Sequence, residues 1–514
     1  MQPLMENEPA STYRRSTYRR IVSSTAIFGG AQVLTLLVNM VRGKLVATIL
    51  HSAGMGMTSV ISNAANTLQQ FALMGLNVAA VPSIAQANAD EEQRVLAFTI
   101  RVVRRLVLLA SCFGLLITLA LSPLMAELSF GQSSYTRFFL LLSLSVFFNV
   151  MATGELAVMQ GMRRYKLLAF CSIVPACGGL LLSIPIYYIW GIEGIVPAMI
   201  VVNLVYFIVI RLLAWRDRRS RAERERITLS TMWKHGSSII KFGMVMTVST
   251  LIGAVATYAL TAFISRQGSL SHVGFYQAAG TITTQYIGLI FTAMAADFYP
   301  HLSELLKTDV KGAHRFVNQQ TEIIVLIVVP LVMLLILTAP LAIHILLTSE
   351  FLTIERMVRF LGLAGIFKAL CFPMDYIAYA KGDTKYIFWV ETVWSNAKTF
   401  TVMATSYWLM GLDGLGYGAL CSAVIDFLVC LVLIPWRYGF HLSKDSVRLI
   451  AVATVMAIAS LVCSFIAQPL WRYTLMGLLT AAALVFCIAQ LDHRMDLRAV
   501  VGRIRSKWTR QAPQ

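Results

Sequence analysis

The sequence contains few charged residues, and this shortage determines the solvent in which the chain folds. Asp, Glu, Lys and Arg make up 13% of its 514 residues, whereas 57% of the residues are hydrophobic. Soluble domains carry about 25% charged residues, and no soluble core accommodates so much apolar surface. The composition therefore excludes an ordinary soluble protein and predicts an integral membrane protein.

Motifs of enzymes and metal sites are also missing. The sequence contains no His-Glu-x-x-His, no Gly-x-Ser-x-Gly and no P-loop. Its eight cysteines lie singly in apolar segments without a Cys-x-x-Cys pair, so we interpret them as packing residues. A polytopic glycosyltransferase or ligase would generally present an acidic or His-rich outer loop, but the predicted outer loops are short. We expect no enzyme activity, no cofactor and no metal.

Long apolar runs, in contrast, are plentiful. A helix that crosses the hydrocarbon layer needs roughly 20 apolar residues. Fourteen runs reach this length, at 21–50, 54–87, 104–126, 136–160, 167–188, 192–214, 236–264, 273–303, 317–339, 355–380, 384–409, 412–436, 446–467 and 472–490. We predict an all-α integral membrane protein with about 14 transmembrane helices.

The first twelve predicted helices form two copies of one six-helix unit. Gly56 and Pro82 are 26 residues apart, and Gly274 and Pro300 repeat that spacing at an offset of 218. Two more turns repeat at offsets of 221 and 220: Gly161-x-x-basic-Tyr165 with Gly382-x-x-basic-Tyr386, and Gly191-x-x-Gly194 with Gly411-x-x-Gly414. Ordered matches at a near-constant offset indicate duplication. Because six is even, both copies enter the membrane in the same direction, which predicts two parallel lobes with a cavity between them and an appended helix pair.

The basic residues lie on one side of the predicted membrane. If the N-terminus is cytoplasmic, the Arg and Lys clusters fall in the inner loops, as the positive-inside rule requires. Both termini are then cytoplasmic. The formal net charge of +18 is spread over these loops without a separate basic domain. It therefore favours membrane lipids with anionic headgroups as partners and argues against nucleic acid.

These patterns predict the following division of the chain: a cytoplasmic tail at 1–20, an N-lobe at 21–214, a basic cytoplasmic linker at 215–235, a C-lobe at 236–437, helices 13 and 14 within 446–490, and a basic cytoplasmic tail at 491–514.

With its two six-helix lobes, the chain resembles the MOP exporter superfamily. The resemblance rests on the glycine turn before the second helix of each lobe, the proline at that helix's cytoplasmic end, and the Gly-x-x-Gly turn between the fifth and sixth helices. Within the superfamily, the fourteen-helix layout and mixed charges resemble the O-antigen and exopolysaccharide flippases. The resemblance covers roughly 20–490.

This resemblance implies a bacterial cytoplasmic-membrane flippase for polysaccharide biosynthesis. It would move an undecaprenyl-pyrophosphate-linked oligosaccharide from the inner to the outer leaflet by alternating access. The basic tail after Arg494 suits either anionic lipid or a polysaccharide-assembly protein.

Polar side chains form a stripe along each of the first two predicted helices: Gln32, Thr35, Asn39 and Arg42 on helix 1, and Asn63, Asn66, Gln70 and Asn77 on helix 2. Such stripes face other helices or a wet cavity, and for the amides hydrogen bonding inside a packed lobe is an equal alternative. The planar guanidinium of Arg42 matches phosphate oxygens. The resembling flippases also keep an arginine near this part of helix 1. We predict that Arg42 contacts the pyrophosphate.

Charges near mid-membrane are concentrated in the second lobe. A charge at that depth costs at least ~2.5–3.5 kcal/mol, so Lys368, Lys398 and Asp426 need partners. Only Glu155 of the first lobe repeats this pattern, in the place of Asp375 at an offset of 220.

Two sets of site residues follow. For pyrophosphate and glycan we predict Arg42, Asn39, Asn63, Asn66, Gln70, Lys368 and Lys398. For coupling to H+ or Na+ we predict Asp297, Asp375, Glu391 and Asp426. A static salt-bridge network that holds the second lobe together is the alternative for the second set.

Two other transporter functions remain as alternatives. A drug/cation antiporter of the same superfamily would want acidic and aromatic cavity walls, whereas Arg42, Lys368 and Lys398 favour an anion. A flippase for a peptidoglycan lipid precursor would bind the same pyrophosphate carrier, and the sequence does not resolve the sugar.

Overall fold

The computed structural model describes the backbone of residues 10–89, 93–216 and 229–495. The side chains of 10–29, of 229–246 and of scattered positions that include Asp297 lie outside the described residues. Within the described ranges the regular structure is entirely helical and contains no strand. The predicted all-α fold is confirmed.

The helices are, in chain order, α1 (Ala10–Leu73), α2 (Leu76–Ala89), α3 (Gln93–Phe130), α4 (Thr136–Gly161), α5 (Tyr165–Trp190), α6 (Ile195–Arg216), α7 (Leu229–Gln267), α8 (Leu270–Thr308), α9 (Val310–Leu346), α10 (Glu355–Lys381), α11 (Thr384–Tyr386), α12 (Ser395–Met410), α13 (Leu412–Tyr438), α14 (Lys444–Cys463) and α15 (Pro469–Met495). A π-helical segment, Ile387–Trp394, joins α11 to α12. Short 3₁₀ turns cover Ser133–Tyr135, Gly191–Gly194 and Ser349–Ile354.

The fourteen predicted helices correspond to these elements because α1 contains predicted helix 1 and most of predicted helix 2, and α2 is the end of predicted helix 2. His51 interrupts α1 with φ 56° and ψ −169°, a conformation that L-residues adopt only under constraint. Gly54 follows one turn later, where an added Cβ would lie 2.5 Å from the Cβ of Leu50. Helices 1 and 2 therefore meet at a sharp break without a loop. Predicted helix 11 comprises α11, the π-helical segment and α12.

Ten described segments are long and apolar enough to cross a membrane. Two of them, Gly30–Leu73 and Leu167–Ala214, each cover two predicted helices. The two predicted helices outside this set are α8 and the α11–α12 helix, and the latter carries Glu391 and Lys398. The chain is a multi-pass membrane protein. Several side chains of α8 lie outside the described residues, to which the search for spans was confined.

The first compact unit spans Met1–Val273 and therefore includes α7. Helix α7 packs against α1, α2 and α3. Thr67 Oγ1 donates a hydrogen bond to the carbonyl of Ala254 (3.1 Å), and the hydroxyls of Ser129 and Tyr258 are 2.7 Å apart. The lobe boundaries drawn from the sequence, which assign helix 7 to the second lobe, stay a prediction.

The second compact unit spans Gly274–Gln514. Its largest core surrounds α9, whose buried Val328 and Val332 pack among side chains of α10, α14 and α15. The appended helix pair α14–α15 thus stabilises the second unit by covering α9. Apolar contacts of this kind hold the helices that carry the deep charges.

A polar clamp closes the turn between α10 and α11. Asp383 caps α11 by accepting a hydrogen bond from the backbone N–H of Tyr386 (3.2 Å). The same carboxylate accepts two hydrogen bonds from Arg437 (2.6 and 3.0 Å) and one from the Tyr438 hydroxyl (2.8 Å). The hydrogen bonds from Arg437 hold the pKa of Asp383 well below its ordinary value. The clamp joins this turn to the end of α13.

We expect Asp383→Ala to lower the free energy of unfolding by about 1–2 kcal/mol, because it removes a helix cap together with charge-assisted hydrogen bonds. A depressed pKa contributes stability above the ordinary pKa of Asp, and this stability is lost only as the pH falls through the depressed value. The melting-temperature difference between wild type and variant in detergent should therefore stay constant from about pH 8 to pH 5.

Asp413→Ala is the matched control for this measurement. Asp413 lies 3.7 Å from Arg356 in a pair whose side chains are 44% and 61% exposed, and exposed pairs contribute about 0–1 kcal/mol. Equal destabilisation by both variants, or a difference that vanishes between about pH 8 and pH 5, would contradict the role of the clamp.

Candidate functional site

The polar stripes of α1 remain accessible in the first unit. Asn39 and Asn66 are exposed, and Asn63 and Gln70 are half-buried. Asn63 donates only a long hydrogen bond to Ser59 (3.5 Å), within its own helix. Hydrogen bonding between helices was the alternative interpretation of these amide side chains, and within the described residues they form little of it. Their role in glycan binding stays a prediction.

Arg42 lies against a glycine of α5. An added Cβ at Gly179 would be 2.7 Å from Arg42 Nη1, 2.8 Å from Cζ and 3.0 Å from Nε. Arg42 Nε is buried and has no hydrogen-bond partner within the described part of the chain. The guanidinium group of Arg42 therefore lies against the backbone of Gly179, and its Nε–H is a hydrogen-bond donor without a partner among the described residues. An anion is the ligand that such a group lacks.

The one deep carboxylate of the first unit is fully paired. Glu155 is 3% exposed. Arg104 Nε lies 2.9 Å from Glu155 Oε1, and Arg104 Nη2 donates to Oε2 at 2.9 Å. Arg211 Nη1 donates to Oε1 from the opposite side. Two guanidinium groups thus hold this carboxylate between α3, α4 and α6, which is the arrangement of a structural ion pair.

The repeat-equivalent carboxylate of the second unit has different neighbours. Asp375 lies beside Glu391, with their side chains close enough to hydrogen-bond, and Cys430 Sγ donates to Asp375 Oδ1 at 3.1 Å. No salt bridge of the described residues reaches Asp375 or Glu391. Two adjacent carboxyl groups repel each other when both are ionised, and among the described residues no arginine or lysine forms a salt bridge with this pair.

Asp375 and Glu391 line a cavity of about 560 Å³ together with Tyr299, Phe372, Tyr376 and Tyr379. The ring of Tyr376 contacts the other three rings at centroid distances of 4.6–5.9 Å. Glu391 belongs to the π-helical segment. Such segments are rare in proteins, and those that occur are frequently found at functional sites. The cavity therefore combines aromatic walls with a pair of carboxyl groups.

The first unit has a cavity in the repeat-equivalent place. It measures about 390 Å³, and its lining includes Val81 and Leu156, which correspond to Tyr299 and Tyr376 at the repeat offsets. Asn77, Thr153 and Gln160 supply its polar groups, and its described lining contains no charged residue. The duplication has thus produced one neutral and one acidic cavity.

Lys398, Asp426 and Lys368 form a second charged group on α10, α12 and α13. Lys398 Nζ lies 2.5 Å from Asp426 Oδ1 and donates to the carbonyl of Ser422 at 2.9 Å. Lys368 is exposed, and Asp426 and Lys398 are the charges closest to it. Lys398 is therefore committed to an ion pair, whereas Lys368 forms no salt bridge within the described residues.

The structure brings together only part of the predicted site. It places Asp375 and Glu391 side by side, pairs Lys398 with Asp426, and leaves Arg42 and the amides in the other unit. Asp297 lies outside the described side chains. Sequence reasoning missed Gly179, the π-helical segment and the thiol of Cys430 as a partner of Asp375. A signal existed for the thiols, because Cys371 and Asp375 are four residues apart on one helix face.

An all-helical, multi-pass fold with unmatched buried charges and internal cavities defines the class of membrane transport proteins. The chain belongs to the family described as polysaccharide biosynthesis protein, which matches residues 45–356.

A curated relative, the lipid III flippase of Escherichia coli (strain K12), is 23% identical over 413 residues, which cover 77% of this chain and 94% of the relative. The fold is similar to that of the lipid II flippase MurJ in an inward closed conformation, with a TM-score of 0.70, 13% identity and coverage of 91% of this chain and 99% of MurJ. It is also similar to an inward-facing multidrug resistance MATE family transporter of the MOP superfamily (TM-score 0.63, 16% identity, coverage 78% and 95%). The resemblance to this superfamily is confirmed.

We predict that Gly179→Ala weakens binding of undecaprenyl pyrophosphate on the order of tenfold without impairing folding, because displacement of a binding group by about 1 Å is costly. The added methyl group would meet the flexible end of Arg42, so the guanidinium moves while the helices stay in place. Calorimetric titration and a melting curve measure the two effects.

Gly178→Ala provides the control, since the nearest atom to its Cβ is Val202 Cγ1 at 3.9 Å. Equal binding by both variants would show that the position of Arg42 does not depend on Gly179.

We further predict opposite effects of neutralising the two repeat-equivalent carboxylates. Glu155→Gln should destabilise the protein by about 3 kcal/mol, because it leaves two arginines without their partner. Asp375→Asn should leave the melting temperature unchanged or raise it, since it relieves repulsion with Glu391. Thermal unfolding in detergent tests both, and a larger loss for Asp375→Asn than for Glu155→Gln would refute the distinction.

Proposed function

We propose that this protein is a flippase that moves a polyprenyl-pyrophosphate-linked oligosaccharide across the bacterial cytoplasmic membrane by alternating access, for polysaccharide biosynthesis. The name of the lipid III flippase relative and the family support this substrate class. The observation in the structure that carries it is Arg42, a guanidinium with a buried Nε that lacks a partner. The protein is a transporter rather than an enzyme.

Arg42 would bind the pyrophosphate, and the accessible amides would bind the glycan. A guanidinium that rests on glycine backbone presents its N–H donors in a fixed plane, which matches two phosphate oxygens. Asn39, Asn63, Asn66 and Gln70 supply donors and acceptors for sugar hydroxyl groups. Lys368, which has no salt bridge among the described residues, would be a second cation for the carrier, whereas the pairing of Lys398 with Asp426 favours a structural role for that lysine.

Transport would be driven by a cation that occupies the acidic cavity of the second unit. Asp375 and Glu391 need a positive charge between them that no described arginine or lysine supplies, whereas Glu155 already has two. The cation is H+ or Na+, and Asp297 and Asp426 remain candidates to assist. Exchange of that cation would change the charge of α10 and the π-helical segment, and with it their packing.

One observation favours a second candidate, an organic-cation antiporter. Aromatic rings and carboxylates are the groups that bind organic ammonium ions, and the 560 Å³ cavity contains both. The fold similarity to a multidrug transporter is compatible with this alternative. A peptidoglycan lipid-precursor flippase is the other alternative, since it would use the same carrier.

Both termini are proposed to be cytoplasmic, because that orientation places the Arg and Lys clusters in the inner loops. The basic tail then faces anionic lipid or the proteins that assemble the polysaccharide.

The decisive experiment measures translocation of an undecaprenyl-pyrophosphate-linked oligosaccharide in proteoliposomes, with an imposed H+ or Na+ gradient present and absent. We expect Arg42→Ala to reduce the rate at least about tenfold, because it removes a bidentate phosphate contact. Glu391→Gln should abolish the response to the gradient while leaving slow, gradient-independent translocation.

Arg137→Ala serves as the control, because Arg137 lies in an exposed pair with Glu193 and over the ring of Phe138, and its loss should not alter the rate. Extrusion of organic cations without movement of the glycolipid by the wild type would replace the flippase with the antiporter.

A further inference from the structure

Two thiols and a carboxyl group converge behind the acidic cavity of the second unit. The ligand atoms of Cys371, Asp375 and Cys430 all lie within 4.8 Å of one another. Cys371 and Asp375 are four residues apart on α10 and share a helix face, and Cys430 reaches them from α13. The two cysteines are buried, whereas Asp375 also lines the cavity. We call these three residues the thiol–carboxylate trio.

Packing alone does not account for this arrangement. Cys371 and Cys430 belong to an apolar core cluster with Met374 and Ile434, where a small apolar residue would fill the same space. Yet Cys430 Sγ points at Asp375 Oδ1, 3.1 Å away, and the Asp375 side chain also meets Glu391. The core thus contains four potential ligand groups on three neighbouring segments.

We propose that the thiol–carboxylate trio binds a thiophilic divalent cation such as Zn²⁺, with Glu391 next to the site as a possible fourth ligand, and that the bound ion blocks transport. Thiolates select soft and borderline metals over Mg²⁺ or Ca²⁺. In a tetrahedral zinc site with Zn–S of about 2.3 Å and Zn–O of about 2.1 Å, ligand atoms are roughly 3.6–3.8 Å apart. A span of at most 4.8 Å requires adjustment of side chains only.

The cavity gives an ion access to this site, and the charge of the ion offsets most of the charge on its ligands. The ion reaches Asp375 through the 560 Å³ cavity. Each thiol loses its proton on binding, so two protons leave through the cavity as one Zn²⁺ enters. The ion's two positive charges offset the two thiolates. An ionised Asp375 ligand adds one negative charge, and a proton kept on Glu391 limits the site to a net charge of −1.

Inhibition follows from the position of the trio. The ion would tie α10 to α13 and occupy the carboxylate that is proposed to hold the driving cation. This consequence for transport rests on the proposed function, whereas the binding site itself does not.

Binding is tested on the full-length protein in detergent with a reductant, using Co²⁺ as a spectroscopic probe. We expect one Co²⁺ per chain, a near-ultraviolet thiolate-to-cobalt absorption band, and loss of that band on addition of Zn²⁺. Cys371→Ser and Cys430→Ser should each remove the band and weaken Zn²⁺ binding at least about 100-fold, since even outer-sphere changes cost 10–100-fold. Asp375→Asn should weaken binding with the band retained.

Cys421→Ser is the matched control, because Cys421 lies on the same helix as Cys430 but is exposed and outside the trio. Absence of a thiolate band in the wild type, or a band that persists in both trio variants, would overturn the site. Melting curves of the variants without metal show whether a lost band reflects unfolding.

Measurement of glycolipid transport is the second test of the proposal. Zn²⁺ should inhibit glycolipid translocation by the wild type and by Cys421→Ser, but not by Cys430→Ser. Thiolate binding without inhibition would overturn the blocking effect and leave the site intact. Thiolate binding by a protein that moves no glycolipid would refute the proposed function while supporting the site.

Discussion

The cost of a charge inside a membrane is the constraint on which the rest of the structure depends. A carboxylate or ammonium at depth persists only with a partner, and the two halves of this chain meet that demand differently. Glu155 is held by two arginines, whereas its repeat-equivalent Asp375 has a second carboxyl group and a thiol as neighbours. The first arrangement is complete within the protein. The second is incomplete, and incompleteness is what permits exchange with the surroundings.

The same reasoning separates the places where anions and cations would bind. Arg42 in the first unit lies against Gly179, and its buried Nε has no hydrogen-bond partner among the described residues. The acidic cavity in the second unit lacks positive charge. Under the proposed function, substrate and driving ion would therefore bind at separate sites. A coupled transporter needs such sites to communicate through helix movement rather than by direct contact.

The sequence predicted the helices well because apolar runs of sufficient length leave little choice in a membrane. The sequence predicted less well which charged residues pair with each other. Lys398 and Asp426 were both recognised as needing partners, but their mutual pairing depends on how α12 packs against α13. The break at His51 lies in the predicted gap between the runs 21–50 and 54–87. The backbone torsion of His51, which lets the two helices meet without a loop, has no compositional signal. The sequence indicates only a packing role for Cys430, because this cysteine lies singly in an apolar segment and its neighbour Asp375 is 55 positions away in the chain.

The two repeat-equivalent cavities have a consequence for energetics. Both copies of the duplicated unit retain the space, about 390 Å³ in one and 560 Å³ in the other, but only the second has carboxyl groups in its wall. Architecture alone would allow two driving ions in each cycle, one in each half. The distribution of carboxyl groups leaves one site for a driving ion. Under the proposed coupling, side-chain chemistry rather than the symmetry of the fold therefore sets the number of ions transported with each cargo molecule.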